Sequence, residues 1–322
     1  MKNKILTRIL NKSGLSETFD KLTNNLSGTD LQSLLMNVFQ RRVQNLTPRE
    51  VLNNFKSNRF VKKAPLPQKV ILDFDRLLIS LLPDNFESIE ISPITPLGST
   101  SVFARVNQNN SVSTVRNTEV VSDATNVLAM ECALRREEFL AANPKDASSV
   151  NLATSHRVVR AQKFEGPVSF AHFRLFALTS AGRDSGSLVF EMESLWSHIS
   201  YYLNLFAKLK IKGYPFGKVS CKLTFIDGAA KETIEKSIAS KIREFFPEVL
   251  LELCNNKEVT FEYYKTIRFQ ISTADASEKN LLIVDGGFTD WNEKLLSNKK
   301  ERLLISGMGS ERFLFCFAPK DS

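Results

Sequence analysis

Ser155-His-Arg-Val-Val-Arg-Ala-Gln162, followed ten residues later by His172-Phe-Arg-Leu-Phe176, decides how this chain is read. The first run is apolar and β-branched around Arg157 and Arg160. The second continues to Thr179, and Gly166-Pro167 sits between them. Such a pattern predicts two strands joined by a loop. Side chains alternate faces along a strand, so an Arg of the first and an aromatic of the second are expected to share a face and present cation and ring to one ligand.

A chain of 322 residues suits one large α/β domain or two average ones and can bury a substantial core. With 43% hydrophobic and 24% charged residues its composition is that of a soluble globular protein. Lys and Arg number 43 against 35 Asp and Glu, a net charge of +8 that permits an anionic partner without requiring one. The tight basic groups are pairs, Arg41-Arg42, Lys62-Lys63, Arg135-Arg136 and Lys299-Lys300, which read as solvated surface. Cys132, Cys221, Cys254 and Cys316 are far apart and in apolar contexts, so buried free thiols are expected rather than a zinc site or a disulfide framework. Three histidines argue against a His-based metal cluster. No apolar core follows the basic Met1-Lys-Asn-Lys start, and no run reaches the roughly 18 residues of a membrane span. A cytoplasmic protein without membrane contact is expected.

Residues 1–64 read as an N-terminal helical extension. Leu31, Leu34, Leu35, Val38 and Phe39 recur on one helical face, and Thr47-Pro-Arg-Glu50 is a capping box with Pro at the first helical position. The main domain, 65–322, opens with a helix from Gln68 to Leu82 that Pro83 stops, then a strand from Phe86 to Ser92. A polar strand pair around Asn107–Asn110 and Val112–Val115 precedes a helix from Asp123 to Leu140. Met192, Leu195, Trp196, Ile199, Tyr202, Leu203 and Phe206 mark a further helix, their aromatic stripe being core. Strand 218–226, helix 231–246 and strands 260–272 and 280–284 complete a mixture without strict βαβ alternation. The fold class is therefore α+β, a largely antiparallel sheet flanked by helices.

Several segments, in order, resemble the class II aminoacyl-tRNA synthetases, most of all histidyl-tRNA synthetase and its paralogues. Arg160-Ala-Gln162 with His172-x-x-x-Phe176 is similar to motif 2. The helix-strand-Pro layout of residues 68–93 is that of motif 1. Thr114-Val-Arg-Asn-Thr-Glu119 resembles the loop preceding motif 2, and Val259-Thr-Phe-Glu-Tyr-Tyr264 the histidyl Arg-Gly-Leu-Asp-Tyr-Tyr signature. Asp285-Gly-Gly-Phe-Thr-Asp290 resembles the family's Gly-Gly-Arg-Tyr-Asp turn. Gly307-Met-Gly-Ser-Glu-Arg312 looks like motif 3. The resemblance covers about residues 66–318.

By that resemblance the ligands are ATP with Mg²⁺ and an amino acid or related carboxylate. Arg160 would hold the α-phosphate and substrate carboxylate, Arg312 the γ-phosphate, and Phe176 would stack on adenine. His172 would sit near the outer phosphates, with Gln162 also in the nucleotide pocket. Glu119 would meet a substrate ammonium, with Arg116 in the same loop. Tyr263 and Tyr264 would line the side-chain pocket beside Gly286-Gly287. The resemblance also implies a homodimer through Gln68–Pro93. Departures from the pattern are equally specific: Val259 stands where the histidyl signature has Arg, Thr260 and Glu262 replace its Gly and Asp, and Gln162 replaces the motif 2 Glu. Phe288 and Thr289 replace Arg and Tyr, which suggests a small or apolar substrate side chain. The chain lacks the anticodon-binding domain, so tRNA is not the expected acceptor. Two main readings stay open, with an RNA-binding or scaffold role behind them: an ATP-dependent ligase adenylating a carboxylate for a protein or other non-tRNA acceptor, and a non-catalytic paralogue that binds an enzyme partner, like the ATP phosphoribosyltransferase regulatory subunit.

Overall fold

The hairpin formed by β5 (Val150–Val159) and β6 (His172–Arg183) is the centre from which the structure is built. The structure, a computed structural model, describes residues 4–162, 170–226, 228, 231–255, 263–274 and 279–319. The Gly166-Pro167 loop and Val259, Thr260 and Glu262 lie outside them. Across the hairpin Ser155 pairs with Phe176, Arg157 with Arg174 and Val159 with His172. Each pair shares a face, so one face carries Phe176 and Leu178 and the other Val158, Leu175 and Ala177.

An eight-stranded sheet in the order β1-β5-β6-β11-β10-β9-β7-β8 grows outward from this hairpin. It adds β1 (Glu87–Ser88), β7 (Val219–Phe225), β8 (Leu250–Asn255), β9 (Ile267–Ala274), β10 (Asn280–Thr289) and β11 (Glu301–Met308). Only the outermost pairs, β1 with β5 and β7 with β8, are parallel. Helix α6 (Ala124–Ala142) packs on one face and α7 (Val189–Ile211) on the other, so apolar side chains of both strand parities are buried. Shorter elements complete the domain: α5 (Gln68–Ser80), α8 (Lys231–Ile234), α9 (Ser240–Phe245), α10 (Trp291–Leu295) and α11 (Ser310–Phe317), with strands β2 (Ile94–Pro96), β3 (Val112–Ser113) and β4 (Thr118–Val120).

Differences from the sequence expectation have local causes. The strand expected over 86–92 is two residues of ladder plus an Ile89 N–H bond to the Ala153 carbonyl, because it only grazes the edge of β5. The polar pair at 107–110 is a 3₁₀ turn, Asn107 accepting from the Asn109 N–H. Strand β8, unread in the sequence, alternates Leu251 and Leu253 with exposed residues at the sheet edge. The Asp285-Gly-Gly-Phe-Thr stretch is not a turn but the second half of β10. Its glycines admit neighbours: a Cβ on Gly286 would lie 2.5 Å from the Phe269 ring, and one on Gly287 2.6 Å from the Ile267 carbonyl oxygen.

One buried charge is fully matched. Contrary to the solvated-surface reading of the Arg135-Arg136 pair, Arg136 is fully buried in α6 and donates from Nε and Nη2 to both oxygens of Glu301 at 2.8 and 3.0 Å, from Nη1 to Asp146 and the Ser148 carbonyl, and from Nη2 to the Asp146 carbonyl. These bonds occupy all five guanidinium donors, as burial of the charge requires.

The described chain divides into two units, the one above comprising residues 63–112 and 119–322. The other comprises residues 1–62 and 113–118. Its helices are α1 (Lys4–Ser13), α2 (Ser16–Asp20), α3 (Gly28–Val43) and α4 (Pro48–Ser57), and none of them buries a residue. Ser27 caps α3 by accepting from the Asp30 N–H, and the Thr47–Glu50 box caps α4 as its sequence predicts.

Candidate functional site

The end of β5, the start of α6, and strands β9, β10 and β11 surround a cleft of about 880 Å³. Arg160 enters it just past β5, where its N–H bonds the Ala171 carbonyl and continues the hairpin. Its Nε donates to the Ser122 carbonyl at 3.0 Å and its Nη2 to Asp123 Oδ2 at 3.2 Å. The guanidinium carbon lies 5.1 Å from the Phe173 ring centroid, a cation–π distance. Asp123 is also the N-cap of α6, its Oδ1 accepting from the Thr125 N–H and hydroxyl. One turn in, Asn126 lines the cleft with a buried Oδ1 that has no hydrogen-bond partner.

The opposite wall is aromatic and charged. Tyr263 and Tyr264 meet edge to face at 4.8 Å, and Tyr263 meets Trp291 at 5.2 Å. Burial, the largest cause, raises both phenols well above their ordinary pKa, so both stay neutral hydrogen-bonding groups. Gly287 makes room for the Tyr264 ring, whose Cδ1 would lie 2.7 Å from an added Cβ. Arg268 grips Asp285 bidentately, Nε to Oδ1 at 2.7 Å and Nη2 to Oδ2 at 2.8 Å, with its guanidinium 5.5 Å from the Tyr264 centroid. Burial lowers the Arg268 pKa and the Asp285 contact raises it; the contact wins, so the cation is fixed. Arg312, exposed on α11, and Gln162 also line the cleft.

Arg160, Gln162, Arg312, Tyr263 and Tyr264 are therefore brought together, and other candidates are not. Phe176 is fully buried on the far face, stacked on Tyr201 at 5.7 Å, so it cannot face a nucleotide in the cleft. The ring that shares the face of Arg160 is Phe173. His172, of the same strand parity as Phe176, approaches Arg157 Nη1 at 3.0 Å and is not among the cleft-lining residues. Glu119 is buried outside the cleft lining, where its carboxylate accepts from the Gly98 and Thr100 N–H groups, the Thr100 hydroxyl and Gln108 Nε2. Burial raises its pKa and these donors lower it further, leaving it below the usual carboxylate range. Glu119 is thus a satisfied structural anion, and the cleft carboxylates are Asp123 and Asp285. Arg116 is exposed and belongs to the other unit, its N–H bonded to Thr114 Oγ1. Gly286 and Gly287 shape the strand without lining the cleft, and neither Phe288 nor Thr289 lines it. The inference of an apolar side-chain pocket therefore loses its basis.

An antiparallel sheet with a helix against each face, and a cleft reached by the end of its central hairpin and by the Gly-rich turn before α11, is the fold of the class II aminoacyl-tRNA synthetases. It is similar to apo S. aureus histidyl-tRNA synthetase, with TM-score 0.56 and 13% identity over 79% of this chain and 68% of that one. It is similar also to an ATP phosphoribosyltransferase regulatory subunit/histidyl-tRNA synthetase from Bacillus halodurans C, with TM-score 0.54 and 15% identity over 82% and 83%. The RNA binding domain of threonyl-tRNA synthetase from Cryptosporidium parvum Iowa II gives TM-score 0.56 and 10% identity over 77% and 62%. No family model matches the sequence, and no curated protein matches it.

Proposed function

We propose that the cleft binds ATP and an amino acid or related carboxylate and joins them as an adenylate for an acceptor other than tRNA. The carrying observation is that Arg160 and Arg312 meet in one cleft with an acidic group, Asp123, and an aromatic face, Phe173. Adenylation brings a carboxylate oxygen onto the α-phosphorus as pyrophosphate leaves, so two anions must approach. Fixed guanidiniums offset that repulsion and bind phosphate oxygens bidentately. Arg160 serves the reacting centre and Arg312 the outer phosphates. Phe170 and Phe173 supply ring surface for the base. Asp123 and the open Asn126 Oδ1 accept from a substrate ammonium. Among the described residues no group of three or more His, Cys, Asp or Glu side chains is placed to hold a metal ion, so Mg²⁺ is proposed to enter with the phosphates.

A second reading, a regulatory paralogue that binds without catalysing, draws on Gln162 and on the existing Arg160–Asp123 pair, which a substrate must open. Amino-acid-dependent ATP–pyrophosphate exchange separates the two. Exchange with some amino acid, lost in Arg160→Ala, is the expected result. Silence across all amino acids, with ATP still bound, sinks the ligase and leaves the binding protein.

A further inference from the structure

The unit of residues 1–62 and 113–118 holds twelve Lys and Arg against four Asp and Glu, so it carries the whole +8 of the chain. The cleft-bearing unit is formally neutral. The charged unit is also unusually apolar at its surface. Ile5, Ile9, Phe39, Val43, Val51 and Phe55 are each about half exposed or more, and none of its helices buries a residue. Helix α1 combines both features in ten residues: Ile5, Leu6, Ile9 and Leu10 form one stripe, and Lys4, Arg8 and Lys12, spaced by four, form another beside it. Among the described residues no helix is long and apolar enough to cross a membrane.

Against the sequence expectation of no membrane contact, we propose that this unit docks on an anionic lipid surface, with α1 lying in the plane of the headgroups. Charge and apolarity select that partner together. A nucleic acid backbone would reward the Lys and Arg and leave Ile5, Ile9 and the other exposed apolar side chains in water. A neutral apolar groove would reward those side chains and leave the unit's net charge of +8 without counter-charge. An anionic bilayer takes both: the apolar stripe sinks into the acyl boundary while Lys and Arg stay with the phosphates. Docking would hold the adenylating domain near a membrane without inserting a span.

The test is vesicle flotation of the full chain with phosphatidylcholine alone and with phosphatidylcholine mixed with phosphatidylglycerol. Retention by the anionic vesicles is expected to exceed that by neutral ones by about tenfold or more and to fall as salt rises. The double variant Ile5→Asp/Ile9→Asp should lose retention, and Lys4→Glu/Arg8→Glu should reduce it by about tenfold. All four positions are exposed, so an unchanged circular dichroism spectrum will show that the variants remain folded. Wild-type chain that floats with neither vesicle overturns the proposal. Retention unaltered by the Ile substitutions, alongside tight capture of single-stranded RNA, overturns it in favour of a nucleic acid partner.

Discussion

Arg160 and Asp123 form an ion pair at 3.2 Å in which each partner already has a structural task, Arg160 holding the Ser122 carbonyl and Asp123 capping α6. On the proposed function the pair keeps both groups pre-oriented, and the cleft would receive a zwitterion by exchanging partners: substrate carboxylate to Arg160, ammonium to Asp123. Arg160→Ala and Arg312→Ala should each weaken ATP binding by about 1–3 kcal/mol, the scale of a lost charge-assisted contact. Asp123→Asn should leave ATP affinity intact or higher, since it releases Arg160, and should weaken only the ammonium-bearing substrate. Calorimetry with ATP and with the amino acid checks both, and equal loss of the two ligands in Asp123→Asn would refute the division of labour.

The two phenylalanines of the hairpin make a paired prediction. Phe173 lines the cleft and is half-buried against the core, so Phe173→Ala should lower nucleotide affinity with a smaller loss of stability than the same change at Phe176. Phe176 is fully buried among Tyr201 and its neighbours, so Phe176→Ala should cost about 3–5 kcal/mol of stability. Denaturant melts run beside ATP titrations distinguish them. An affinity loss in folded Phe176→Ala, with none in Phe173→Ala, would reverse the assignment.

That exchange of rings shows what the sequence could and could not disclose. Both strands, their order and the Arg160 position were legible because β-branched runs and Gly-Pro punctuation are local signals. Which aromatic shares the face of Arg160 depends on hairpin register, and that depends on how the loop between the strands closes. Ser155 opposes Phe176, and Arg160 lies an odd number of residues beyond Ser155, so the parity is reversed. Glu119 was misplaced for a similar reason: its donors come from Gly98, Thr100 and Gln108, which no short motif links to it. Asp123 did leave a signal, as the residue starting the 123–140 helix, but a cap and a ligand group look alike in sequence. Arg268 and Asp285 meet only because β9 and β10 pair.

Buried charge sets a separate expectation for stability. Arg136 and Glu301 are 165 residues apart in sequence and both essentially inaccessible, so they tie α6 to the start of β11. Glu301→Gln leaves the buried guanidinium with Asp146 as its remaining anion and should destabilise by about 1.5–3 kcal/mol, the scale of a lost hydrogen bond to a charged group. Replacing both by Met should cost less than the sum of the single changes. A double-mutant cycle in urea that finds the two changes additive would show that the pair is not coupled.

Acid should weaken the fold before the carboxylates titrate. His198 is fully buried between Ser180 and Ser306, and burial pushes its pKa down to about 3 from an ordinary 6.5. In the folded state it remains neutral, while in the unfolded chain it takes a proton below pH 6.5. Its contribution is therefore full above 6.5 and is lost as pH falls toward 3, with a slope approaching 1.4 kcal/mol per pH unit. Glu119, held below the carboxylate range, adds loss of the same sign only lower down. Urea midpoints between pH 7 and 5 should fall in the wild type, and the fall should be shallower in His198→Gln even though that variant starts less stable. Parallel slopes would remove His198 as the cause.

The last expectation concerns assembly. The resemblance assigns a dimer contact to Gln68–Pro93, and α5 within it turns Leu72 and Ile79 outward while Ile71, Phe74 and Leu78 are buried in its own domain. Its outward face mixes these two with Lys69, Asp73, Arg76 and Ser80, so Leu72 and Ile79 are the apolar side chains such a contact would cover. In a two-fold contact the same patch meets itself, so one substitution places two like charges in the interface. Leu72→Glu should therefore convert a homodimer to a monomer at the concentrations where the wild type is dimeric, with little change in the stability of the fold, since Leu72 is 53% exposed in the single chain. Sedimentation velocity of both proteins decides it. A wild-type monomer at tens of micromolar would refute the dimer, and a Leu72→Glu chain that remains dimeric would move the contact to another face.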